Sequence, residues 1–239
     1  NKNGFKNSYN ILLRNPNSVT ESSTDNNENH HKLLTSFLFE TSYPLRNEKE
    51  NNNNYLTPIL QLRYSPNKSK NAINDDRRID INNIYSFDRI GSGDSVEGGQ
   101  SITLGSGYKR TDKDDNSIID LNLAAVFRDE INEDLPVKST IGNTSSDIIG
   151  SFEFKPNNIF DFKYDFSFNN DLERSNYDSF KTKISLNNFV TSFEYLEENN
   201  VIGNESFLAN QTSLKLSDKN FINFSTRKNK KTNLTEFYN

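Results

Sequence analysis

The chain has no cysteine, no tryptophan and no methionine, and only two histidines in 239 residues. Without cysteine there is neither a disulfide nor a thiolate metal site, and the redox compartment is left undetermined. The two histidines, His30 and His31, are adjacent in a polar stretch from Asn15 to His31. A metal would need a third ligand that this stretch does not offer, so an exposed pair is the simpler reading. The same shortage removes a serine hydrolase, whose base must face its nucleophile from a neighbouring element. No run approaches the roughly 18 apolar residues of a membrane helix, and no charged-then-apolar leader opens the chain. The absent initiator methionine leads us to expect a processed N-terminus or a portion of a longer protein. Nor is there a surplus of positive charge for nucleic acid: 28 Lys and Arg stand against 33 Asp and Glu, a net charge of -5.

What remains is polar and aromatic. Only 32% of the residues are hydrophobic, and the mean hydropathy is -0.85. That is a thin supply for a soluble core, and 18 Phe and 10 Tyr provide most of its bulk. Their spacing is informative. In FDFKYDFSFN, Phe160, Phe162, Tyr164, Phe166 and Phe168 alternate with Asp161, Lys163, Asp165, Ser167 and Asn169. A strand puts the five aromatics on one face and the polar groups on the other, whereas a helix would scatter them. The same period recurs at Phe37 to Tyr43, Leu60 to Tyr64, Ile119 to Phe127, Phe180 to Leu186, Phe189 to Tyr195, Leu214 to Leu216 and Ile222 to Phe224. About twelve strands are expected, and no amphipathic helix.

The connections carry a second pattern. After Phe127 they run long at Arg128 to Ser145, short at Lys155 to Asn158, long at Asn170 to Asp178, and two residues at Asn187-Asn188. They continue long at Glu197 to Glu205, short at Ser217 to Asn220, and longer again at Lys228 to Asn233. Alternate turns therefore lie at the same end of a sheet, which is the layout of an antiparallel transmembrane β-barrel of the outer membrane, with short periplasmic turns and long extracellular loops. A barrel also accounts for the composition, because its apolar face meets lipid while its interior can be wet. Alternation then places Arg128, Glu153, Asp161, Lys163 and Asp165 towards the lumen. A soluble β-sandwich or a secreted adhesin with one polar face is the competing fold.

The stretch YSFDRIGSGDSVEGG, Tyr85 to Gly99, contains glycines that suggest a phosphate loop. A dinucleotide site would need a strand before it and a helix after it, and a Walker motif would need its lysine; neither is present. The charges say more. Asp75, Asp76, Arg77, Arg78, Asp80, Asp88, Arg89, Asp94 and Glu97 crowd into the longest connection, interleaved with Ile79, Ile81, Ile84, Tyr85, Phe87 and Ile90. A loop that is merely solvated does not need that apolar interleaving.

LTPILQLRYSPN (Leu56 to Asn67) followed by DDRRIDINNIYSFDRIGSGDSVEGGQSITLG (Asp75 to Gly105) resembles the C-terminal barrel region of the LptD family of lipopolysaccharide-assembly proteins. The family string runs here through Asn83, Tyr85, Phe87, Asp88, Arg89, Gly93, Asp94, Glu97 and Gly98. Tyr85 stands where the family often has Phe, and Ser95 replaces an Arg. The resemblance implies that residues 1–239 are part of the barrel domain, without the periplasmic jelly-roll and the gate strands. It further implies a folded loop in the barrel mouth, fixed by Arg–carboxylate pairs. The implied function is insertion of lipopolysaccharide into the outer leaflet, with an LptE-like plug lipoprotein and, through the missing N-terminal domain, an LptA-like bridge as partners. It implies no enzymatic activity and no cofactor. A porin or TonB-dependent receptor, or less readily an adhesin, would share the alternation.

Overall fold

A computed structural model describes residues 4–20, 28–31, 33–199 and 205–238. The strands are β1 (Lys6–Arg14), β2 (Asn17–Thr20), β3 (Glu28–His31), β4 (Leu34–Ser42), β5 (Leu45–Lys49), β6 (Asn52–Ser65), β7 (Gly99–Asp112) and β8 (Ser117–Arg128). They continue with β9 (Ile148–Phe154), β10 (Phe160–Phe168), β11 (Ser175–Leu186), β12 (Phe189–Glu198), β13 (Ser206–Lys215), β14 (Phe221–Asn229) and β15 (Leu234–Tyr238). The one helical piece among the described residues is a 3-10 turn, Val137–Ser139.

Thirteen of these strands form a single antiparallel sheet in the order β1-β4-β6-β7-β8-β9-β10-β11-β12-β13-β14-β15, with β5 also on β6. β4 pairs with the Ile59–Tyr64 part of β6 and β5 with the Asn52–Leu56 part, so the two share one edge. Pro44 stands between them, where a residue without an N–H cannot continue the ladder. The wall is therefore twelve positions wide, matching the strand number expected from periodicity. Among the described residues, β1 and β15 each have a single neighbour, so the sheet is part of a barrel.

Period-two alternation sets the register. Phe162 of β10 lies opposite Phe154 of β9 and Thr182 of β11, and Tyr164 lies opposite Phe152 and Phe180. The rings form a continuous outer surface: Tyr164 and Phe180 stack at 4.2 Å with planes 5° apart, and Phe162 sits 6.1 Å from Phe152 and 6.3 Å from Phe180. Such cross-strand aromatic pairs stabilise a register as well as a surface. Exposed apolar side chains continue this face at Phe37, Leu62, Tyr64, Ile102, Leu104, Phe127 and Phe193.

The connections alternate as the sequence suggested, with differences in length. One end of the sheet carries 66–98, 129–147, 169–174 and 230–233, and the other carries 50–51, 113–116, 155–159, 187–188 and 216–220. β11 begins at Ser175, so the connection expected over Asn170 to Asp178 is shorter. The last connection, 230–233, is no longer than the short turn before it. Within the polar stretch from Asn15 to His31, residues 17–20 and 28–31 pair as two strands instead of forming a loop, with His31 opposite Asn17 and His30 opposite Ser18.

The buried core does not lie between two sheets. Ile79, Ile84 and Ile90 of connection 66–98 pack with Leu135 and Ile141 of connection 129–147 against Ala124, Val126 and Ile149 of β8 and β9. Two long connections thus fold back onto the polar face of the wall, which we call the inner face.

Candidate functional site: a loop pinned to the inner wall

Glu97 sits two residues before β7, and its side chain is fully buried, as is that of Arg89 (both 0% exposed). The Arg89 guanidinium forks onto it: Nε donates to Oε2 at 2.8 Å and Nη2 donates to Oε1. This planar two-point contact is one that lysine cannot supply. Arg128 of β8 also donates to Oε1, and Arg63 of β6 holds its Nε 3.7 Å from Oε2. Arg89 continues to β7, donating to Ser101 Oγ at 2.8 Å and Thr103 Oγ1 at 3.3 Å. Further donors end on loop carbonyls: Arg128 Nε on Ile141 at 2.6 Å, Arg128 Nη1 on Gly98 at 3.1 Å, and Arg63 Nη1 on Phe87. One loop carboxylate thereby gathers cations from β6, β8 and its own loop.

Burial opposes ionisation of Glu97, but the charges of Arg89, Arg63 and Arg128, with the Arg89 hydrogen bond, outweigh it and hold the pKa down at about 2. The folded value lies below the ordinary 4.5, so the carboxylate stabilises the docked loop fully above pH 4.5. That contribution is lost as pH falls through the window from 4.5 towards 2. Amide exchange over residues 84–98, corrected for intrinsic rate, is expected to stay slow above this window and to accelerate within it. Undiminished protection at its lower end would contradict this role.

Three further contacts pin the loop elsewhere. Arg78 pairs with Glu198 of β12, and its Cζ lies 4.3 Å over the Tyr177 ring of β11. Lys138 approaches the same Glu198 at 3.5 Å and also pairs with Asp76. Arg14 of β1 donates from Nη2 to Asp88 Oδ2 at 2.8 Å and from Nη1 to the Ser95 carbonyl at 2.8 Å. The connection is held from β1 across to β12.

The other family-string residues shape the loop itself. Asp80 Oδ1 accepts from the Asn82 amide at 2.8 Å and the Asn83 amide at 3.1 Å, and Asn83 Nδ2 donates to the Arg78 carbonyl at 3.1 Å. Arg77 Nε donates to the Arg89 carbonyl at 3.0 Å. The Phe87 ring lies 5.8 Å from Arg63 Cζ. Tyr85 crosses to β7 so closely that a Cβ on Gly105 would stand 1.7 Å from its hydroxyl. Burial pushes that hydroxyl up to about 12, with the charge of Glu40 adding to the effect. Asp75 and Asp94 are exposed, and Asp94 pairs with Lys70.

Gly91 and Gly99 adopt left-handed backbone, with φ of 69° and 78°, which glycine alone takes without strain. Gly98 serves a different purpose, since a Cβ there would meet the Asn67 carbonyl at 2.3 Å. Gly93 has open space around it and a negative φ, so neither reason applies.

All five residues assigned to the lumen by alternation lie on the inner face. Arg128 belongs to the buried cluster, Lys163 lies 3.4 Å from Glu153 and 3.5 Å from Asp165, and Asp161 pairs with Lys155 at 3.0 Å. Sequence reasoning missed Arg14, Arg63, Lys138 and Glu198. Arg63 could have been found: it stands between Leu62 and Tyr64, at the polar phase of an otherwise apolar alternation.

The sequence that folds into this wall has a match among known families. The family model for LPS transport system D, LptD, covers residues 7–227. The chain belongs to the LptD family. A search of curated proteins returns no match. LptD-family proteins are outer-membrane β-barrels, and the antiparallel all-β wall fits that architecture. Membership also supports a role in lipopolysaccharide transport.

Proposed function

We propose that this chain forms part of the wall through which lipopolysaccharide is inserted into the outer leaflet of the bacterial outer membrane. The family match carries this reading, and the polarity of the two faces supports it. An amphipathic cargo needs a polar route beside an apolar solvent, and the inner and outer faces provide the two environments. The ends bearing 66–98 and 129–147 are the extracellular ones, and the short turns are periplasmic. In this account connection 66–98 is a structural seal of the mouth, and it contributes surface to an LptE-like plug lipoprotein in the lumen. An LptA-like periplasmic protein would deliver cargo through the domain that precedes the barrel in the family.

The ion pairs that pin the loop to β1, β6, β8 and β12 motivate a direct test. Deleting 75–93 from the full-length protein is expected to reduce recovery of the plug-bound complex and of surface lipopolysaccharide. Deleting 170–173, within a connection that makes few contacts, is expected to leave both near wild type. Equal behaviour of the two deletions, read by co-purification and surface staining, would remove the special role of 66–98.

A further inference from the structure

Below the folded loops, the inner face carries an unbroken charged row along one line of cross-strand partners. Lys109 of β7 lies opposite Asp120 of β8, which lies opposite Glu153 of β9. Glu153 faces Lys163 of β10, Lys163 faces Lys181 of β11, and Lys181 faces Glu194 of β12. A wall arranged only for its own stability would alternate sign at every step, because like charges directly opposite are destabilising. Here Asp120 and Glu153 are direct partners on the acidic side of the row, and Lys163 and Lys181 are direct partners on the basic side. Each lysine has carboxylates at its other side, Glu153 at 3.4 Å for Lys163 and Glu194 at 3.0 Å for Lys181, but nothing negative lies between them.

The next row adds to this. Lys183 lies opposite Asp161, yet Asp161 pairs with Lys155 at 3.0 Å, and Lys183 has no carboxylate partner among the described residues. Lys155, Lys163, Lys181 and Lys183 line one cavity of about 280 Å³ together with Glu153, Asp161 and Glu194. Four ammonium groups against three carboxylates leave one net positive charge around a small concave space, with Lys183 uncommitted, which suits a compact anion that accepts from several donors at once.

We propose that Lys163 and Lys181, with Lys183 beneath them, seat a phosphate group on the saccharide portion of the lipopolysaccharide. This rests on the transport reading above. The phosphate would bridge the two opposed ammonium groups and relieve their repulsion, so the seat binds anionic sugar and does not retain neutral sugar. The small concave shape favours a single ligand group over the flat acidic face of a protein.

The test uses the full-length protein in its membrane complex, with a benzophenone amino acid replacing Ser192, which lies opposite Lys183 and lines the same cavity. Purified lipopolysaccharide is supplied in vesicles either intact or after chemical removal of its phosphates. The intact form is expected to give a light-dependent adduct. Removing the phosphates, or making Lys163→Gln with Lys181→Gln, is expected to lower adduct yield about tenfold, the scale of one charge-assisted hydrogen-bond pair. The double variant relieves a like-charge contact, and heat-modifiable gel mobility verifies that it folds. Yields insensitive to both changes overturn the seat, as does an adduct formed only with protein. A second benzophenone at Asn122, on the same inner face outside the cavity, separates the two claims. Adducts there and none at 192 sink the seat alone; no lipopolysaccharide adduct at either position sinks the transport reading as well.

Discussion

Glu97→Ala is expected to free connection 66–98 from the wall and to cost about 3–5 kcal/mol of stability, the range for removing one partner of a buried ion pair. The reason is the asymmetry of the cluster. Arg89, Arg63 and Arg128 are all buried around a single carboxylate. Removing the arginines' shared partner leaves three cations without it, and water must enter or the loop must leave. Arg77, Arg78 and Arg89 then become substrates for trypsin, so limited digestion of folded protein reads the release directly. Asp94→Ala, which breaks the exposed pair with Lys70, should leave the digestion pattern unchanged because solvent already screens that contact. A Glu97→Ala protein as resistant to trypsin as wild type would show that apolar packing of Ile79, Ile84 and Ile90 suffices to hold the loop.

The second large effect separates the two faces of β10. Phe162→Arg places a cation among Phe152 and Phe180 on the lipid side, and it should cost about 2–4 kcal/mol near the bilayer midplane. Asp161→Arg, one residue away on the inner face, loses its contact with Lys155 but remains hydrated, so its cost should be much smaller. Equilibrium unfolding in phospholipid vesicles measures both. Equal tolerance would invert or abolish the facing assignment on which the barrel reading depends.

Much of this architecture was legible because the side-chain period of a strand is two and leaves little ambiguity in a run such as FDFKYDFSFN. Alternation alone grouped Arg128, Glu153, Asp161, Lys163 and Asp165 on one face, the face onto which the loops fold. It failed where local pattern carries no phase. Residues 17–20 and 28–31 hold a single apolar residue, Val19, so their ribbon pairing has no hydrophobic alternation to announce it. The start of β11 at Ser175 was hidden for a similar reason, since the polar Ser175 and Asn176 resemble a loop.

The loop posed a different problem. Its charges announced ion pairs, and the Arg89–Glu97 pair lies within the string itself. The partners contributed by the wall are distant in sequence: Arg14 reaches Asp88, and Arg78 reaches Glu198. No short-range rule joins residues so far apart, because the contact exists only after β1 and β12 have taken their places in one sheet. The inward fold of 129–147 was likewise unreadable, as Leu135 and Ile141 are isolated apolar residues whose burial depends on meeting Ile79 and Ile84.

The central claim is that this chain serves lipopolysaccharide transport, and depletion of the full-length protein from living cells tests it most directly. Newly made lipopolysaccharide is pulse-labelled, and its arrival at the surface is followed by a modification that acts only on the outer leaflet. The account predicts that surface arrival falls with depletion while labelled lipopolysaccharide accumulates behind the outer membrane, and that re-expression restores it. Surface arrival at the normal rate in cells lacking the protein would contradict the account.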